Sequence, residues 1–147
     1  MSRKQSAGRA ADDEGRARYE RPRLGVFFAG PPSRILDGWL YDKFDLVVST
    51  EILEEYRRTA RRIGEKFPEI DLGPLLDRIA VHALLVVPAT LPDDACADRN
   101  DIKFLECALA ARAECVVSGD RALLRASGYG GIEVVTPRRF LEQHLPR

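Results

Sequence analysis

The stretch that most narrows what this chain can become is Cys96 to Leu124, CADRNDIKFLECALAARAECVVSGDRALL. Ile102, Leu105, Ala108 and Leu109 recur at the spacing of a helix lying on a core. Asp98 and Asp101 stand before that helix or in its first turn. Cys115-Val116-Val117-Ser118 is β-branched and too short for a helix, which predicts a buried strand, and Gly119 and Asp120 follow at its carboxyl end. In open α/β sheets ligands bind outside the carboxyl ends of the strands. Asp98, Asp101 and Asp120 are therefore expected near one rim. Three carboxylates there repel one another unless a cation lies between them.

Each of these acids also reads as a helix cap, because Asp is favoured at that position. Asp98 and Asp101 cannot both cap one helix, however, and Asp120 precedes only a short helical run. Capping alone leaves one acid over.

Before the acidic centre, Leu46-Val47-Val48 predicts a strand, and Ser49 or Thr50 a cap for a long helix that stops near Pro68. Glu51, Glu54 and Glu55 open that helix, with Glu51 read as a capping-box residue; Arg57, Arg58, Arg61, Arg62 and Lys66 close it. Acids early and bases late complement the helix dipole, and the arginines have a second reading as phosphate contacts. A helical stripe at Ile35, Leu36, Trp39 and Leu40 is expected to end near Phe44. Leu72 to Ala83 predicts another helix, Leu84-Leu85-Val86-Val87 a strand closed by Pro88, and Ala89 to Ala97 a loop. Ile132 to Val135 predicts the last strand, and Thr136-Pro137 opens a closing helix with Phe140 and Leu141 inward. Short apolar strands separated by helices give a parallel sheet with helices on both faces.

With 147 residues the chain is one domain by length, and its formal net charge of +0 sets up no global field for nucleic acid. Cys96, Cys107 and Cys115 lack metal-type spacing and read as reduced thiols of a cytoplasmic protein; no apolar run has the length of a membrane span. Met1 to Arg23 differs from the rest, with arginines scattered among Ala, Gly and acids. It reads as a disordered tail, or as an RNA-binding arm, ahead of a domain over residues 24–147.

The pattern D-R-N-D-x-K-x-L-x-x-A-L-A-A-x-A followed by V-S-G-D resembles the PIN-domain proteins, closest to those that are toxins of bacterial toxin–antitoxin pairs. The resemblance extends from about Val26 to Leu145, and S-T-E-I-L-E-E-Y strengthens it. It implies a three-layer α/β/α fold with a mainly parallel sheet, a Mg²⁺- or Mn²⁺-dependent endoribonuclease, an RNA substrate, a cognate antitoxin and a homodimer. It also implies four metal-site acids. Glu55 (with Glu54 as competitor), Asp101 and Asp120 match three of them, and Asp98 becomes an auxiliary ligand. Ser118 matches a small hydroxyl residue beside the last acid, and Lys103 reads as a phosphate contact or as part of a solvated helix face. Carboxylates without His, Cys or a Ser–His pair suit phosphodiester hydrolysis by two hard cations about 3.5–4 Å apart.

The fourth acid closes the family's first strand in an Asp-Thr-Asn motif, and nothing between Met1 and Gly30 supplies it. The first, central strand is therefore expected to be absent or replaced. A second reading follows, a non-catalytic domain that keeps an RNA- or antitoxin-binding surface. Arg16 to Gly25 also admits a codon choice whose next reading frame spells Val-Leu-Asp-Thr-Asn-Val-Leu-Val-Ser. Restoring one base before Val26 would join that strand in frame to the rest. A phosphoacceptor domain needs an acid pair after the first strand and a Lys after a late one, and neither is present.

Overall fold

Strands that are apolar on both faces need cover on both sides, and Leu46-Val47-Val48 and Cys115-Val116-Val117 are fully buried. In the computed structural model, which describes residues 23–24 and 33–145, they belong to β2 (Asp45–Val48) and β4 (Cys115–Val117). With β1 (Arg23–Leu24), β3 (Leu84–Leu85) and β5 (Glu133–Val135) they form a five-stranded sheet in the order β3-β2-β1-β4-β5. Every pairing is parallel. The chain steps outward from β1 to β3 and then returns to lay β4 on the other side of β1. The switch point, where α/β sheets open a crevice at their carboxyl ends, thus falls between β1 and β4.

The sheet is therefore not without a central strand: of the two expectations, absent or replaced, it is the second that describes it. Arg23 pairs with Asp45, and Leu24 pairs with both Leu46 and Cys115. Pairing uses backbone groups, so two residues without apolar periodicity can fill a gap that side-chain patterning does not reveal. All of the segment Met1 to Arg23 except Arg23 itself, and residues 25–32, lie outside the described residues.

Among the described residues the helices are α1 (Ser33–Leu40), α2 (Thr50–Lys66), α3 (Gly73–His82), α4 (Ile102–Ala111), α5 (Arg121–Arg125) and α6 (Pro137–His144). They pack in two groups, α1 with α6, and α2 with α3 and α4. Phe44 and Phe140 meet edge to face at 5.3 Å beside the first group. In the second, α4 lies on β2 and β4 and buries Phe104, Leu105, Cys107 and Ala108. Each large apolar side chain buried this way contributes about 1.5–3 kcal/mol, so α4 is fixed on the sheet by its own stripe.

Three local expectations change. α1 stops at Leu40 rather than near Phe44, and Asp42 takes a left-handed φ of 61° in the turn that follows. Ser49 caps α2, its Oγ accepting from the Ile52 amide at 3.3 Å, so Ile52 holds the third helical position and Glu51 is not a capping-box residue. β3 has two residues instead of four, at the sheet edge, with Val87 beyond it 88% exposed. An edge strand has one neighbour, and Pro88 has no amide to extend the ladder.

Candidate functional site

Two turns deliver acids to the switch point. After β4, the buried Ser118 Oγ accepts from the Asp120 amide at 2.9 Å. Asp120 then caps α5, its Oδ2 accepting from the Leu123 amide at 3.0 Å. Opposite, Asp98 opens a 3₁₀ turn over Arg99–Asp101, its Oδ1 accepting from the Asn100 amide at 2.9 Å. That turn sets Asp101 at the cap position of α4, yet its side chain makes no capping bond. Capping explains Asp98 and Asp120, then, but not Asp101.

Asp101 is 7% exposed, and its Oδ2 is buried with no hydrogen-bond partner among the described residues. Burial pushes its carboxyl up to about 7; hydrogen bonding with Asp120 and the charges of Asp120 and Asp98 add to this, and Lys103 opposes it. Asp120 moves the other way, held below the ordinary carboxylate range first by its bond to Asp101 and then by the Leu123 amide. When Asp101 carries its proton it donates to Asp120, and only that proton makes the contact a hydrogen bond. With both carboxylates ionised they repel, and Asp101 Oδ2 is a buried acceptor without a donor.

Glu55 is half-buried on α2, and Glu54 beside it is exposed. Glu55 Oε1 lies 2.8 Å from Lys103 Nζ. The Lys103 side chain is only 12% exposed; its ammonium also donates to the Asn100 carbonyl and stands 5.3 Å from the centre of the Phe104 ring. A solvated helix face is therefore corrected to an ion pair joining α4 to α2. Pinned between neighbouring buried positions Ile102 and Phe104, residue 103 stays close to the packed helices.

The fold thus brings Asp101 against Asp120, with Asp98 near enough to affect Asp101. It does not gather Glu55 with them. Among the described residues no three His, Cys, Asp or Glu side chains stand close enough to hold one ion. Two neighbours of the site were not foreseen. Cys96 is buried beside the pair, its Sγ donating to the Ala122 carbonyl at 3.5 Å, and burial above all pushes its thiol up. Glu106 fastens the preceding loop, its Oε2 accepting from the Leu91 amide at 2.9 Å. All three cysteines are free. An open groove of about 500 Å³ runs on the Lys103 side, lined by Glu51, Leu91, Arg99, Asn100 and Glu106 among others.

A hard divalent cation takes carboxylate oxygens and relieves repulsion between acids in contact. Asp101 and Asp120 fit one such ion, because the orphan Oδ2 of Asp101 requires a positive partner. Glu55 already has one in Lys103.

The family model of the PIN domain matches residues 25–122 of the 147. The chain belongs to the PIN-domain family, whose members are generally nucleases. The match begins beside Val26 and ends just past Asp120, short of β5 and α6, so it covers less of the C-terminal end than the expected span to Leu145. Comparison with curated proteins and with solved structures finds no match. Among the described residues no helix is long and apolar enough to cross a membrane.

Proposed function

We propose that this chain is a Mg²⁺- or Mn²⁺-dependent endoribonuclease of PIN type, the toxin of a cytoplasmic toxin–antitoxin pair. Asp101 and Asp120 are its principal metal ligands and catalytic acids, with Asp98 auxiliary; Glu55 matches the family's further acid and is held here by Lys103. The observation that carries the reading is the Asp101–Asp120 contact with a buried, partnerless Asp101 Oδ2 at the switch point of the sheet. Bound there, a divalent cation supplies charge neutralisation at a phosphate and acidifies the attacking water. The chain's own groups prepare for this. Ser118 holds the Asp120 backbone in place and the Leu123 amide favours the ionised Asp120 carboxylate, while Asp101 gives up its proton when a cation replaces it. Exposed Arg57, Arg58, Arg61 and Arg62 line α2, the helix that also bears Glu55, and supply phosphate contacts for RNA. The antitoxin partner and a homodimer belong to the same reading through the family. So does the assignment of residues 24–147 to the domain and 1–23 to a segment outside it, a boundary to which the β1 pairing adds Arg23 on the domain side.

The test is cleavage of single-stranded RNA by the purified protein with Mn²⁺, with EDTA, and by Asp101→Asn. Cleavage is expected with Mn²⁺ alone and only with Asp101 intact; activity that survives EDTA or Asp101→Asn sinks the assignment.

A second reading, a non-catalytic RNA- or antitoxin-binding domain, is favoured by one observation. The central strand β1 consists of Arg23 and Leu24 and carries no acid. It predicts partner binding without any Mn²⁺-dependent cleavage.

A further inference from the structure

A lysine ordinarily lays its stem along the surface and leaves its ammonium in water. Lys103 does not, and three contacts converge on its head: the Glu55 carboxylate at 2.8 Å, the Asn100 carbonyl and the Phe104 ring. Asn100 belongs to the same turn that sets Asp101 in place, so the ammonium is anchored to the acidic rim and not merely near it. A half-buried carboxylate with a cation at 2.8 Å already has its charge balanced, and offers a metal ion less attraction than an unpaired one. Asp101 is the opposite case, a buried oxygen with no hydrogen-bond partner among the described residues. The two acids are thus provided for differently.

We propose that Lys103 is a built-in counter-ion that takes the place of a second metal ion, so that this chain binds a single divalent cation at Asp101 and Asp120 while Glu55 is reserved for the lysine. The proposal rests on the metal-site reading above and departs from a two-ion site. In it Lys103 is a positioning residue, fixing Glu55 and through it the approach of α2 to α4.

The experiment is calorimetric titration of metal-free protein with Mn²⁺, alongside thermal melting. Wild type is expected to bind one equivalent. Lys103→Met, which keeps the stem and removes the charge, is expected to melt lower without metal and to gain a second equivalent or at least tenfold tighter binding. Lys103→Met/Glu55→Gln is expected to lose that gain. Two equivalents in wild type, or no change in Lys103→Met, overturns the proposal. Should Lys103→Met fail to fold, Lys103→Gln and the wild-type stoichiometry still decide it. Absence of Mn²⁺ binding in every variant overturns the Asp101–Asp120 reading itself, which separates the two failures.

Discussion

Replacing Asp101 by Asn isolates the electrostatics of the site. The Asp101 carboxyl, ordinarily at 3.8, is pushed up to about 7 by burial and by Asp120, so the metal-free folded state holds a proton that the unfolded chain has released. Stability is therefore fully present below the unfolded value and is lost as pH rises from about 4 through 7. The whole rise corresponds to about 4 kcal/mol. Roughly 2–3 kcal/mol of this falls between pH 5 and pH 8, or roughly 5–10 °C of melting temperature for a domain of this size. Asp120 works in the other direction: its depressed carboxyl contributes stability above its unfolded value and loses it in acid, below that window. The amide introduced by Asp101→Asn is neutral at every pH and still donates to Asp120. In EDTA, melting followed by circular dichroism should show the wild type weakening from pH 5 to pH 8 and Asp101→Asn holding level, the variant being the more stable at pH 8. Millimolar Mn²⁺ at pH 8 should restore the wild type, by linkage of binding to folding, and leave the variant unmoved. Parallel pH profiles for the two proteins would refute the reasoning, because every other titrating group is common to both.

Three further outcomes follow from particular contacts. Ser49→Ala removes the cap whose Oγ accepts from Ile52, and should cost about 1 kcal/mol in chemical denaturation; an unchanged midpoint would mean that α2 starts without it. Phe104→Ala opens a cavity under α4, where the ring is 1% exposed, and should cost about 3–5 kcal/mol, with a loss below about 1 kcal/mol showing that α4 does not lie on the sheet as described. Sequencing the locus tests the shifted frame: the codons for Arg18, Tyr19 and Glu20 should spell Asp-Thr-Asn when read one base later, and any other reading discards the idea.

The α4–β4 half of the site could be read from the sequence because its signals are local. The stripe Ile102, Leu105, Ala108 and the run Cys115 to Val117 set helix and strand independently of the rest of the chain, and Asp101 and Asp120 follow from where those elements begin and end. Spacing cannot say which acids meet. Asp101 abandons capping and is buried against Asp120, whereas Asp98 stays at the surface as the cap that the sequence also allowed. The Lys103–Glu55 pair was hidden because it joins α4 to α2 across the packing of two helices, whereas Glu55 alone reads as a metal-site acid and Lys103 as a phosphate contact or a solvated charge. β1 was hidden for a different reason. Its pairing with β2 and β4 runs through the backbone, and neither Arg23 nor its neighbours show apolar alternation. Leu84 to Val87 misled in the opposite sense, since β-branched text looks equally strand-like in the middle of a sheet and at its edge.

The most direct measurement of the central idea, that Asp101 and Asp120 form a cation site, is anomalous diffraction from crystals grown with Mn²⁺. One peak is expected, ligated by carboxylate oxygens of both Asp101 and Asp120 at about 2 Å. The orphan Oδ2 of Asp101 should be among its ligands, with Lys103 still paired to Glu55. A Mn²⁺ peak elsewhere, or none at this pair under saturating metal, would contradict it.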